Sequence, residues 1–235
     1  GAAVLLAGLL VATTWLTTLR MQADAAERAH HQAQAETAFL AQPARHPHRM
    51  VHYGHYVFRT PPPLALFDPG LDAVTGQAIF LEGHRQNTAM FAASGASADL
   101  GAFSWPSPAT VYQLLAPLLL ILLGHGLIVR EREAATLGPL LAQGTPGRVL
   151  LAGKALALLS VVGLLLLPVG VSAALAVRSG DSPLSALALV GAYLMYLSTW
   201  GALALLASTL LKRRSAALST LATLWIALTL VLPAV

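Results

Sequence analysis

Side chains able to do chemistry crowd into two stretches of the chain. The first runs from Arg130 to Lys154. It opens with alternating charge, Arg130-Glu131-Arg132-Glu133, turns apolar, and ends with Arg148 and Lys154. The second is histidine-rich: His46, His48, His52 and His55 fall within ten residues, and His84 stands further on beside Glu82. Imidazole is a common ligand of zinc and copper, so these four are candidates for a metal centre. A Pro-containing loop that puts His46 and His48 in water, with His52 and Tyr53 packing the insert, is the plainer reading, and no metal is assigned. His125 lies between Gly124 and Gly126 in an apolar run. An ionisable group inside a membrane is a candidate functional site, though Arg130 is only five residues away and packing or snorkelling is the plainer reading. Cysteine is absent, which removes thiolate chemistry. No serine near His84 and Glu82 has a nucleophile's setting, so no catalytic residue is assigned. A phosphate-binding loop needs G-x4-G-K-[ST]. Gly147…Gly153-Lys154 misses it by one residue of spacing and by Ala155, so no ATPase motif belongs to this chain.

The elements that must position these groups follow from the charges. Only 10% of the 235 residues are charged and 56% are hydrophobic, against roughly 25% charged for a soluble domain. Five windows hold no Asp, Glu, Lys or Arg: 1–19, 109–129, 155–177, 182–211 and 215–235. A bilayer core takes about 20 apolar residues per helix, and soluble helices need a polar face. This excludes a soluble enzyme, a disordered chain and a nucleic-acid-binding module. The expected architecture is an all-α polytopic membrane protein with spans over 1–19, 109–129, 155–177, 184–211 and 215–235, embedded in a lipid bilayer. Both ends look cut. Pro117 and Pro168 are expected to kink their spans, with neighbours taking up the freed carbonyls. Gly191, Ser198, Thr199, Gly201 and Ala202 allow close helix approach.

Arg130, Arg132, Arg148, Lys154 and Lys212-Arg213-Arg214 set the orientation, because short cytoplasmic loops collect basic residues. The loops 130–154 and 212–214 are thus expected inside and 20–108 outside. The net charge of +4 is then a topology signal. Residues 20–42 lack Gly and Pro and should extend the first helix outward until Pro43 and Pro47 end it. Residues 48–108 carry Pro61-Pro62-Pro63, Asp68-Pro69-Gly70 and Trp105-Pro106-Ser107-Pro108. They read as a small insert, mostly irregular with some helix and a possible strand within Met50–Arg59. In the cytoplasmic segment Leu137, Leu140 and Leu141 share one helical face, and Gly144-Thr145-Pro146-Gly147 is a turn.

This segment resembles the ABC-2 type permeases, whose pattern runs roughly E-R-E-x-G-T-L-x-x-L-L, a turn, then R-x-x-L-L-x-G-K. Glu131, Arg132, Glu133, Thr136, Leu137, Leu140 and Leu141 match the first half. Arg148, Leu150, Leu151, Gly153 and Lys154 resemble the second, with one residue fewer after the Arg. Ala135 stands where the family usually has Gly. The insert is similar to a branch of these permeases with a large external segment after the first span. Tyr53, Gly54, Asp68, Pro69, Gly70, Leu81, Glu82, His84, Gln86 and Asn87 carry that likeness. The resemblance implies an ATP-driven exporter permease of the bacterial cytoplasmic (inner) membrane with six spans, the sixth expected past Val235. It would pair with a second permease, as homo- or heterodimer, and dock a cytoplasmic ABC ATPase through 130–154. ATP and Mg would be bound by that partner, with no cofactor in this chain and no nucleic acid. Glu131, Arg132 and Glu133 would form or brace the contact, with Arg148 and Lys154 anchoring the loop. The alternative is a membrane-anchored assembly or metal-handling protein acting through its insert.

Overall fold

The computed structural model describes residues 2–70, 76–88 and 107–232, with side chains from residue 8 onward. It divides into two compact units, Gly1–Ala109 and Thr110–Val235.

The first unit is built on α1 (Ala2–Leu40), one continuous helix of 39 residues. The hydroxyls of Thr13, Thr14 and Thr18 each donate back to a carbonyl one turn earlier, which satisfies them within the helix itself. After α2 (Pro47–Met50) the chain forms β1 (His55–Phe58), a 3-10 turn (Pro63–Leu66) and β2 (Ala78–Leu81). The strands pair antiparallel with Tyr56 opposite Phe80 and Phe58 opposite Ala78. The Tyr56 and Phe80 rings lie 4.8 Å apart, a cross-strand aromatic pair of the kind that stabilises small sheets. Two strands alone are marginal, and α1 supports them. Gln32 Oε1 accepts from the edge N–H of Phe58 at 3.0 Å, and Arg28 donates to the carbonyl of Arg59 at 3.0 Å. The insert therefore contains a small sheet as well as helix and irregular chain. Trp105 and Pro106 lie outside the described residues.

The second unit is helical: α3 (Pro108–Gly124), α4 (Val129–Glu133), α5 (Leu137–Ala142), α6 (Gly147–Arg178), α7 (Pro183–Leu210) and α8 (Arg214–Ile226), followed by a π-helical turn, Ala227–Val231. Among the described residues, four stretches are long and apolar enough to cross a membrane: Pro108–Glu133, Gly147–Arg178, Pro183–Leu210 and Arg214–Val231. The expected span 1–19 opens α1, and its first side chains lie outside the described set. Leu120, Ile121, Val162, Val169, Leu197 and Leu221 are buried between the helices. Leu184 at 75% and Met195 at 73% exposure point outward, an apolar outer surface suited to lipid. Gly124 allows α3 and α7 to touch, since a Cβ there would lie 2.6 Å from the Cβ of Ala204.

The two interior prolines show how such helices survive. Pro117 cannot donate to the carbonyl of Gln113. The Tyr196 hydroxyl of α7 donates to that carbonyl instead, at 2.7 Å. One residue on, Trp225 Nε1 of α8 donates to Leu114 O at 3.1 Å. Beside Pro168 in α6, the buried Tyr112 hydroxyl donates to Leu165 O at 2.7 Å. At Pro117 a neighbouring helix thus takes up the freed carbonyl itself, and at Pro168 one donates to a carbonyl of the adjacent turn, as prolines in lipid require.

Helix α3 stops at Gly124, and 125–128 form turns before α4. Helix α6 starts at Gly147, so Arg148 and Lys154 ride its first turns rather than a loop. Pro146, extended and lacking an N–H, precedes it. Proline suits a helix start because it has no donor to leave unsatisfied.

Candidate functional site

The segment between α3 and α6 turns through a compact elbow. Ser208, fully buried on α7, accepts from the backbone N–H of Ile128 at 2.8 Å and of Val129 at 3.2 Å. A helix start leaves such donors unpaired, so one hydroxyl fixes the entry into α4. His125 lies in the turn before it. Its Nδ1 is 3.0 Å from the carbonyls of both Ile121 and Leu122. Both neighbours are acceptors, which assigns the proton to Nδ1. The imidazole closes the end of α3, and this is the packing reading of His125.

Three consecutive charges then go three ways. Glu131 accepts from the Thr136 hydroxyl at 2.8 Å and lies 3.4 Å from Lys154 Nζ on α6. It stands past the uncharged run 109–129. The Thr136 hydroxyl, and then the Lys154 ammonium, hold its carboxyl below the ordinary carboxylate range. Arg132 donates to Leu211 O at 2.7 Å and to Thr209 O at 2.9 Å, placing a guanidinium on the unpaired carbonyls at the end of α7, where a cation is favoured. Glu133 accepts from the backbone N–H of Arg214 at 2.8 Å, and its other oxygen lies 3.4 Å from Arg214 Nε. A carboxylate is favoured at that helix start for the same reason. Successive residues of α4 therefore hold the start of α6, the end of α7 and the start of α8. No local signal in the sequence could reveal this, because the partners of Arg132 and Glu133 lie nearly eighty positions downstream.

Beyond Glu133 the chain turns sharply. Ala135 N–H donates to Arg132 O and Thr136 N–H to Glu131 O. This paired closure is the Schellman pattern, which puts its C′ residue in the left-handed region. That residue is Ala135, at φ 55°, the position where the resemblance noted above expects Gly. Helix α5 follows with no buried residue; Leu137 and Leu140 are half-buried and Leu141 is 43% exposed. Lys154 joins the network, whereas Arg148 stands exposed in the first turn of α6 and takes no part in it.

Comparison with protein-family models matches the description ABC-2 family transporter protein over residues 2–235. The chain belongs to this family. Searches of the curated proteins and of the solved structures returned no match. It is a multi-pass membrane protein and a permease subunit of the ABC transporter class.

In this permease, residues 147–154 form two turns of α6, so their N–H groups do not fan out to cradle a phosphate. The insert motif organises the small sheet. Arg45 lies over the Tyr53 ring at 4.2 Å. A Cβ on Gly54 would run into the Phe80 ring at 2.1 Å, so the Tyr-Gly pair lets that ring pack against bare backbone. Asp68 accepts from Gly70 N–H at 2.9 Å, with Gly70 at φ 57° and Pro69 between them. Asn87 donates to Phe80 O at 2.9 Å and closes the chain back on β2. Glu82 is half-buried and Gln86 exposed. The four histidine candidates do not assemble. His46 Nδ1 accepts from His48 N–H at the start of α2, and His55 on β1 lies against Gln32 and the Phe39 ring. His48 and His52 do meet, and the third ring beside them is His84.

Proposed function

We infer that this permease couples to a separate ATPase through the elbow 130–154. On this reading the segment is cytoplasmic and residues 20–108 are extracytoplasmic. The observation that carries this reading is the fan of Glu131, Arg132 and Glu133 to three different spans. A push on α5, whose Leu141 is exposed and whose Leu137 and Leu140 are half-buried, is delivered by α4 to the ends of α6, α7 and α8 together. Packed elements that move as a body are a known way to turn a small displacement into a change of access. The basic residues gathered at this end, Arg130, Arg132, Arg148, Lys154 and Lys212-Arg213-Arg214, support the orientation. The family supports the remainder: an exporter of the bacterial inner membrane, paired with a second permease, whose ATP and Mg are bound by the partner ATPase.

The test is co-purification of the full-length protein in mild detergent, with mass spectrometry and an ATPase assay. A nucleotide-binding subunit recovered with the wild type and lost on deletion of 134–147 is the expected result. Recovery of that subunit by the deletion variant would sink the docking assignment.

A further inference from the structure

Three imidazoles meet at the tip of the first unit. The ring centres of His48 and His52 are 5.6 Å apart, those of His52 and His84 4.9 Å, and those of His48 and His84 6.1 Å. The three side chains belong to exposed residues. They arrive from two directions. His48 and His52 lie four residues apart across α2 and the turn after it, whose N–H groups of His52 and Tyr53 bond to Arg49 O and Met50 O. Four residues is the spacing at which two histidines on one helical face share a metal. His84 comes from the segment after β2. It is held there by the Gly83 N–H, which donates to Val51 O at 2.9 Å. Gly83 is needed for that approach: a Cβ would sit 3.1 Å from both the Cβ and the carbonyl oxygen of Val51.

We propose that His48, His52 and His84 form a tripod for a borderline divalent transition metal of the Zn²⁺ or Cu²⁺ class. The spacing carries it. A zinc–nitrogen bond is about 2.0–2.1 Å. The ring centre lies roughly 1.2 Å beyond the nitrogen, so two imidazoles on one tetrahedral ion have centres about 5 Å apart. The three observed separations bracket that value from just below to about 1 Å above. Among the described residues no three side chains already stand in ligating geometry, so the rings must turn to aim their nitrogens inward. That motion is rotation about the broad terminal torsion of histidine, and it leaves the backbone frame in place. Three neutral imidazoles select metals that favour nitrogen over oxygen, which disfavours Mg²⁺ and Ca²⁺. A fourth position remains open, as in sites that exchange or present their metal. The site is independent of the elbow and of the transport reading.

The experiment is calorimetric titration of tag-free, metal-stripped full-length protein in detergent with Zn²⁺, and with Co²⁺ while recording visible absorption. The expected result is one equivalent per chain and a Co²⁺ spectrum of low coordination number. His52→Asn and His84→Asn should each weaken binding at least tenfold, while His30→Asn, on α1, should leave it unchanged. Gly83→Ala, which keeps all three ligands but displaces one, should also weaken it. Melting curves of the metal-free variants separate loss of the site from loss of the fold. Absence of stoichiometric binding by the wild type would overturn the proposal, as would wild-type affinity in His52→Asn and His84→Asn.

Discussion

Helix α4 ends at Glu133 and helix α6 at Arg178 with the same pair of backbone bonds, yet the two ends are made differently. At α6, Gly180 N–H donates to Val177 O and Asp181 N–H to Ala176 O, and the left-handed residue, at φ 103°, is glycine. The connection is short, and Ser182 enters α7 without a side-chain cap bond. Both bonds that close this end lie within the turn itself. At α4 the left-handed residue is Ala135, where an L side chain costs about 1–2 kcal/mol. The same local closure sets its conformation, but around it Glu131, Arg132 and Glu133 bond to residues of α6, α7 and α8 or to the turns that flank them. The contrast teaches where the molecule keeps strain. Backbone strain persists only where surroundings over-determine it, and such places are often switch regions.

The largest expected effect comes from breaking the tertiary end. Glu133→Lys removes the acceptor of Arg214 N–H and places an ammonium where two positive groups already point, the helix start and the Arg214 side chain. About 1–3 kcal/mol of stability should go with that bond. ATPase stimulation by cargo in reconstituted vesicles should fall at least tenfold. Unchanged coupling in this variant would remove the elbow from the mechanism. The matching change at the local end, Ser182→Ala, should stay within about 0.5 kcal/mol, since no cap bond is lost. Arg132→Ala should rank next, at about 1–2 kcal/mol in detergent unfolding curves. Arg132→Lys should recover less than half of that, because one ammonium cannot span both the Thr209 and Leu211 carbonyls as a planar fork does.

The difference between the two ends also marks what could be read in advance. The four long apolar helices of the second unit were legible because lipid forbids charge over long windows, and the elbow because its leucines return every three or four residues. The rescue of Pro117 was legible in kind, but Tyr196 and Trp225 could not be named, since each lies on another helix. Strand β2 was missed because four residues of Ala-Ile-Phe-Leu have no partner nearby in sequence; β1 pairs with it across nineteen intervening residues. His46 and His55 were grouped with His48 and His52 by proximity along the chain. Folding separates them and brings in His84, because Gly83 docks on Val51. The departure at Ala135 was visible as a missing glycine, but its meaning needed the φ angle.

Exchanging the two residues sharpens the comparison at smaller scale. Gly180→Ala should destabilise by about 1–2 kcal/mol, the full left-handed penalty with nothing distant to offset it. Ala135→Gly should move the other way but by less, up to about 1 kcal/mol. The relieved strain is partly cancelled by the greater freedom of glycine in the unfolded chain. Urea or thermal unfolding of both variants beside the wild type reads the asymmetry. If Ala135→Gly also weakens coupling while raising stability, the strain belongs to the transmission of the push.

The smallest effect is a pH dependence confined to α4. Glu131 is held below its ordinary range by the Thr136 hydroxyl first and Lys154 second. A carboxyl whose folded value is depressed binds its proton more tightly when unfolded. Its stabilisation is therefore complete above the unfolded value, roughly 4.3 for glutamate, and is lost as pH falls through the lower folded value. Glu131→Gln can still accept from Thr136 but no longer attracts Lys154. The stability gap between wild type and this variant should be constant from pH 7 to 5, then close progressively in more acid solution. Since the Glu131 and Lys154 side chains are each 28% exposed, water screens the pair and the gap itself should be below about 1 kcal/mol. A gap that widened with acid would mean that Glu131 is proton-bound in the fold, and that the bond from Thr136, not the charge of Lys154, is what ties α4 to its turn.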